Sequence, residues 1–231
     1  MSGEGHLTAA LGQMTINVDT LVTMYIAMFF LLFVAFIASR KLTIVPNKIQ
    51  MVAESIVTFF TNTVESMMGS KRESKKHIPL LATLFLFIVT ANLMGQLPWR
   101  LLHLKTGELA SPTNDINMTA AMAIIVLVYY LFCGIRKKGL RYFLHSFNPI
   151  DIVIAIVELL EIVIRPFTLA LRLFANILAG ELLVVAFVGI FAYFLPLPIM
   201  FFELFVGFVQ ALVFMMLSTA YVALAVEDEG H

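Results

Sequence analysis

The chain is short of most residues that build covalent or metal chemistry. Cys133 is its only cysteine, so neither an intrachain disulfide nor a thiolate cluster can form. Its histidines, His6, His77, His103, His145 and His231, are scattered without the spacing of a metal site, and no metal or other cofactor is expected. HExxH and GxSxG are absent, and so is a phosphate-binding glycine loop. That argues against an intramembrane hydrolase and against nucleotide chemistry on this chain. The stretch up to Asp19 lacks a basic head before an apolar core, so no cleaved signal or transit peptide is expected. Repeats and low-complexity tracts are missing as well. Charge is scarce: 13% of the 231 residues are charged and the two signs cancel to zero, so information lies in where the charges sit. No nucleic-acid partner is expected.

What is abundant is apolar surface. Hydrophobic residues make up 61% of the chain and the mean hydropathy is +0.95, which places it among all-α polytopic membrane proteins with the bilayer as its surroundings. Apolar runs long enough for a hydrocarbon core of ~30 Å fall at Leu21–Ala38, Ile78–Leu97 and Met118–Ile135, followed by a long region from Ile150 to Val226. Asp19 or Thr20 is expected to cap the first and Asn117 the third. Basic residues cluster after the first run (Arg40, Lys41, Lys48, Lys71, Arg72, Lys75, Lys76) and after the third (Arg136, Lys137, Lys138, Arg141), so both loops are assigned to the cytoplasmic side. The loop with Arg100 and Lys105 against Glu108 and Asp115, and the uncharged turn near Pro196, fit the other side. Two more crossings after Asp151 give five in all, with the N-terminus outside and the acidic tail Glu227, Asp228 and Glu229 inside.

The expected organisation is one membrane domain over 1–231, with an outward segment 1–20, a surface helix 47–68 and a helical hairpin 150–226. In the surface helix Ile49, Val52, Ile56, Phe59, Phe60 and Met67 recur at helical spacing opposite Lys48, Gln50, Glu54, Ser55, Asn62 and Glu65. Such a helix either lies in the membrane interface or packs on a soluble partner. The two hairpin helices exceed the ~20 residues a crossing needs, so they are either strongly inclined or project from the bilayer, and Pro166 stands where the longer one would kink or divide.

That hairpin holds the polar constellation. Arg172 sits in the segment LALRLFANILAGELL, and a fixed cation at membrane depth costs at least ~2.5 kcal/mol. Thr168, Leu169, Ala175 and Asn176 occupy the positions three and four residues away, so no acid of its own helix faces it. At ~100° per residue, Glu158, Glu161, Arg165, Arg172, Asn176 and Ala179 share one stripe. Glu161 and Arg165 have the acid-first spacing of a local ion pair. On the last helix Glu203, Gln210 and Tyr221 share a face, and an antiparallel register that sets Arg172 at the level of Gln210 also brings Glu181 near Glu203. Glu181 itself lies on the side of its helix opposite Arg172. Buried carboxylates favour the protonated form and a chain of them is a proton path; alternatively Glu181 and Glu203 are protonated acids hydrogen-bonded for structure. Ala170, Ala175, Ala179 and Gly180 permit close approach of another helix.

The segment RLFANILAGELL closely resembles the signature of the subunit a family of the F-type ATP synthase membrane sector. The likeness extends to ANLMGQLP at Ala91–Pro98, SPTNDINMT at Ser111–Thr119, RPFTLALR at Arg165–Arg172 and VQALVFMMLSTAYVALA at Val209–Ala225. The resemblance implies that Arg172 is the stator charge facing a carboxylate on a rotor ring of c subunits, with Asn176 and Gln210 beside it. It also implies that Glu181 and Glu203 serve the outward half-channel and Glu158 the inward one. Many bacterial members carry histidine where this chain has Glu203, and mitochondrial ones where it has Glu181, so an all-carboxylate relay is expected. Implied partners are the c ring, the peripheral-stalk b subunits and the rest of the synthase. A bacterial plasma membrane is the expected setting, with an organellar energy-coupling membrane as the alternative. The competing functional class is a self-contained proton or cation channel or secondary transporter, since charges near the midplane serve those too.

Overall fold

The computed structural model describes residues 8–11, 14–40, 43, 46–95, 112–139, 149–188 and 196–227. Lys41, Arg100, Lys105, Glu108, Arg141, the turn around Phe191 and the tail acids Asp228 and Glu229 lie outside the described residues. So do His6, His103, His145 and His231, and the side chains of Asp19, Lys138, Asp151, Glu158 and Glu181.

Six helices carry the fold: α1 (Val18–Ser39), α2 (Lys48–Met68), α3 (Lys71–Gly95), α4 (Ile116–Lys138), α5 (Pro149–Val188) and α6 (Pro196–Val226). All but α2 are long and apolar enough to cross a membrane, which gives the five crossings read from hydropathy. Gly69 ends α2 in the left-handed conformation (φ 67°), where its N–H donates to the Glu65 carbonyl at 3.0 Å, and α3 starts two residues later. Helix α5 is continuous through Pro166 and 40 residues long, about 60 Å at ~1.5 Å per residue. At 31 residues, α6 runs about 46 Å on the same arithmetic.

Two caps differ from expectation. The residue before α1 is Asn17, not Asp19 or Thr20. Asp115, not Asn117, caps α4: its carboxylate accepts from the Asn117 backbone N–H at 2.9 Å. An acid one residue before the helix reaches the unpaired N–H groups of the first turn, whereas Asn117 already lies inside it.

Helix α6 is the hub, in contact with α2, α3, α4 and α5. An aromatic ladder joins three of these: Phe60 of α2 meets Phe85 of α3 edge-on at 5.1 Å, and Phe85 meets Phe208 of α6 at 5.6 Å. Leu81, Ile88, Leu173, Phe214 and Met215 fill the core around it. By contrast α1 touches little beyond α3 and exposes Phe29, Leu32 and Phe33, the face of a span that hydrocarbon covers. Helix α2 buries Gln50, Phe60 and Val64 but leaves Ile49, Val52, Ile56 and Phe59 open, so the bundle covers only the smaller part of its apolar surface.

A feature absent from the sequence reading precedes α1: strands β1 (Thr8–Leu11) and β2 (Met14–Asn17) pair antiparallel, Thr8 opposite Asn17. The Asn17 amide donates to Asp115 at 2.9 Å and ties this hairpin to the start of α4.

Candidate ion-transfer site on the last two helices

Two contacts fix the register of α5 against α6. Near one end, the carboxyl of Glu203 rests on Gly180, with Cδ and Oε1 at 2.7 and 2.8 Å from where a β-carbon would stand. Only glycine leaves that space. Toward the other end, the Arg165 guanidinium lies over the Tyr221 ring, 5.2 Å from its centroid. Arg172 and Gln210 fall between these contacts, within about a turn of the same level on adjacent helices. Glu203, Gln210 and Tyr221 therefore do share the α6 face toward α5, as their spacing indicated.

Arg172 is exposed, on an α5 face where Ala175 and Ala179 are exposed too. The small side chains leave the guanidinium standing proud of the helix. Among the described residues no carboxylate pairs with it. Asn176, one turn on, is half-buried, and so is Gln210, whose Nε2 is enclosed without a hydrogen-bond partner. Glu203 is buried, 9% exposed. The backbones of Glu158 and Glu181 lie on α5, Glu181 directly after the glycine that Glu203 touches.

Arg165 is the opposite case. Glu161 pairs with it four residues earlier, which is the local ion pair read from the spacing. Tyr221 in turn lies 6.1 Å from the ring of Tyr130 on α4, itself 1% exposed. One cation of α5 is held by two partners, Glu161 and the Tyr221 ring; the other is bare.

Behind α6, Asn92 of α3 donates to the Gly207 carbonyl at 3.0 Å and accepts from the Thr113 hydroxyl at 2.7 Å. A β-carbon at Gly207 would meet Asn92 Nδ2 at 3.2 Å. This bridge holds α6 from the rear three residues before Gln210. Asn92 carries a signal in the sequence, a polar residue inside an otherwise apolar run, whereas Thr113 sits in the polar segment SPTNDINMT and does not stand out. His77 bonds Tyr129 across α3 and α4 at 2.8 Å and was equally unforeseen.

A bare cation, flanked by small residues and set beside two half-buried amides, narrows the possibilities, and comparison with known proteins decides among them. The family profile described as ATP synthase A chain matches residues 21–223. The chain belongs to the ATP synthase subunit a family. A curated relative named ATP synthase subunit a, from Gloeobacter violaceus, is 43% identical over 224 residues, covering 96% of this chain and 89% of the relative. Membership makes the chain the proton-translocating stator subunit of an F-type ATP synthase, an integral multi-pass protein that works within a multi-subunit complex, and a free-standing channel is not favoured.

Proposed function

We propose that Arg172 is the fixed stator charge of the motor and that Asn176, Gln210, Glu203, Glu181, Glu158 and Glu161 line the proton's way to and from it. The observation that carries this is the exposed guanidinium on a membrane-crossing helix with no counter-charge among the described residues. A cation in that position requires an anion from another chain. A rotor-ring carboxylate supplies it. Arginine suits the task because it does not deprotonate and its planar fork grips a carboxylate.

The rotor acid loses its proton as it nears Arg172, because a fixed cation favours the anionic form, and regains one as it moves away. Glu181 and Glu203 belong to the outward half-channel and Glu158 to the inward one. The packing of Glu203 on Gly180 supports a narrow polar passage between α5 and α6 at that end. The transmembrane potential, worth ~2.3 kcal/mol per charge per 100 mV, biases the direction of rotation. Gln210 offers its enclosed Nε2 to whatever oxygen, water or rotor carboxylate, arrives beside Arg172.

The remaining surfaces fit the same assembly. The c ring faces the Arg172 side of α5, and peripheral-stalk b subunits take other faces of the bundle. Helix α2 rests its open apolar side, Ile49, Val52, Ile56 and Phe59, in the membrane interface. The basic loops support a topology with the N-terminal hairpin outside and the C-terminus inside, in a membrane we take to be a bacterial plasma membrane.

The test is Arg172→Ala in the complete synthase reconstituted in liposomes. ATP-driven proton pumping should vanish while the complex still assembles; normal pumping would remove Arg172 from its central place.

A further inference from the structure

Arg165 and Arg172 are seven residues apart, so at ~100° per residue they leave α5 within about 20° of the same direction. They stand roughly 10 Å apart along the axis. Yet their side chains differ in fate. Arg172 points out, whereas Arg165 is turned onto α6, paired with Glu161 and laid across the Tyr221 ring at 5.2 Å. Tyr221 is braced from behind by Tyr130, whose ring is 6.1 Å away and whose side chain is buried in the core. Glu161 is the more exposed partner, its side chain 47% accessible. A carboxylate that open does not fix a long side chain on its own.

We propose that Tyr221 is a positioning residue of the transfer site: it holds Arg165 against α6 and so keeps a second fixed cation off the rotor-facing strip of α5. The inference rests on the stator reading of Arg172. A guanidinium released two turns away would face the same passing carboxylate and never deprotonate. A rotor acid leaving Arg172 would then meet a second cation before taking up its proton, and would stay anionic where it has to be neutral to enter lipid. The ring face and not the phenol oxygen does the holding, since a cation is drawn to the π-electron face of Tyr and Phe alike. Glu161 reduces the charge of Arg165 as seen by the rotor, and Tyr221 fixes its direction.

The experiment measures ATP-driven proton pumping per assembled complete synthase in liposomes for Tyr221→Met, Tyr221→Phe and the double variant Arg165→Gln/Tyr221→Met, with Arg172→Ala alongside. A nearby cation lowers a carboxyl pKa by a unit or more, so Tyr221→Met is expected to pump about tenfold more slowly than the wild type. Tyr221→Phe keeps the ring face and should stay within about twofold. Removing the released charge in the double variant should restore most of the rate, which a purely space-filling role for Tyr221 does not allow. Equal rates for Tyr221→Met and wild type would overturn the proposal. So would a Tyr221→Phe variant as slow as Tyr221→Met, or a double variant that is no faster than Tyr221→Met. Normal pumping by Arg172→Ala would instead strike the underlying stator reading, and the two failures are told apart by that arm.

Discussion

The back of the bundle and its front differ in how polar groups and charge are handled, since helices are cross-bonded at the back and a bare cation stands at the front. Where α3 meets α4 and α6, polar side chains bond across helices: Asn92 serves Gly207 and Thr113 at once, and His77 bonds Tyr129 through Nδ1 while its Nε2 is enclosed without a partner. On the α5 front, Arg172 is bare and the amide nitrogen of Gln210 is enclosed without a partner. Hydrogen bonds that run between helices in a low-dielectric medium lock them in place, and an unpaired charge there is costly unless something external completes it. The rear thus works as scaffold, and the front is the face that the proposed rotor carboxylate would complete. Arg165 shows the boundary, a front-facing residue treated by the rear's rules.

Changes at the two faces should separate function from stability. The largest effect is expected from Arg172→Ala, with coupled pumping abolished and assembly kept. Next comes the carboxylate pair: the Glu181→Gln/Glu203→Gln double variant should lose coupled transport more severely than either single change, measured as pumping in liposomes. Wild-type rates in all three would refute the relay. Gly180→Val comes third. A β-carbon there falls at 2.7 Å from Glu203, so the carboxyl must move; overpacking of this kind costs about 1–3 kcal/mol, and pumping should drop roughly tenfold in complexes that still assemble. Unchanged pumping would show that the position of Glu203 does not matter. The smallest functional effect belongs to the rear. Asn92→Ala removes two buried hydrogen bonds and should lower the stability of the solubilised subunit by about 1–3 kcal/mol, read from thermal unfolding, while pumping per assembled complex stays near normal. A variant equally stable but inactive would erase the distinction between the two faces.

Much of this was legible in the sequence, for reasons that can be named. Crossings are set by the thickness of the hydrocarbon layer, so apolar run length alone located α1, α3 and α4 and the α5–α6 region. The hairpin register could be read because antiparallel helices keep paired positions in step, and the Gly180–Glu203 contact falls one residue from the expected Glu181–Glu203 level. Glu161 and Arg165 were readable as a pair because their spacing is local. What escaped was long-range. Nothing in the spacing of Asn92, Thr113 and Gly207 tells that three separate segments converge, and helical spacing sets Arg165 and Tyr221 each on a face of its own helix without showing that they meet. The strands Thr8–Leu11 and Met14–Asn17 escaped because four-residue strands carry too little periodicity to stand out beside long apolar runs.

The central claim, that the Arg172 face of α5 meets a rotor carboxylate, is tested most directly by proximity. In a Cys133→Ser background of the complete synthase, single cysteines at exposed Ala175 and Ala179 and at buried Leu173 and Ile177 are oxidised against a cysteine placed one turn from the rotor acid. Disulfides to the rotor subunit are predicted from positions 175 and 179 and not from 173 and 177. Cross-links from the buried pair, or none from the exposed pair, would contradict the account.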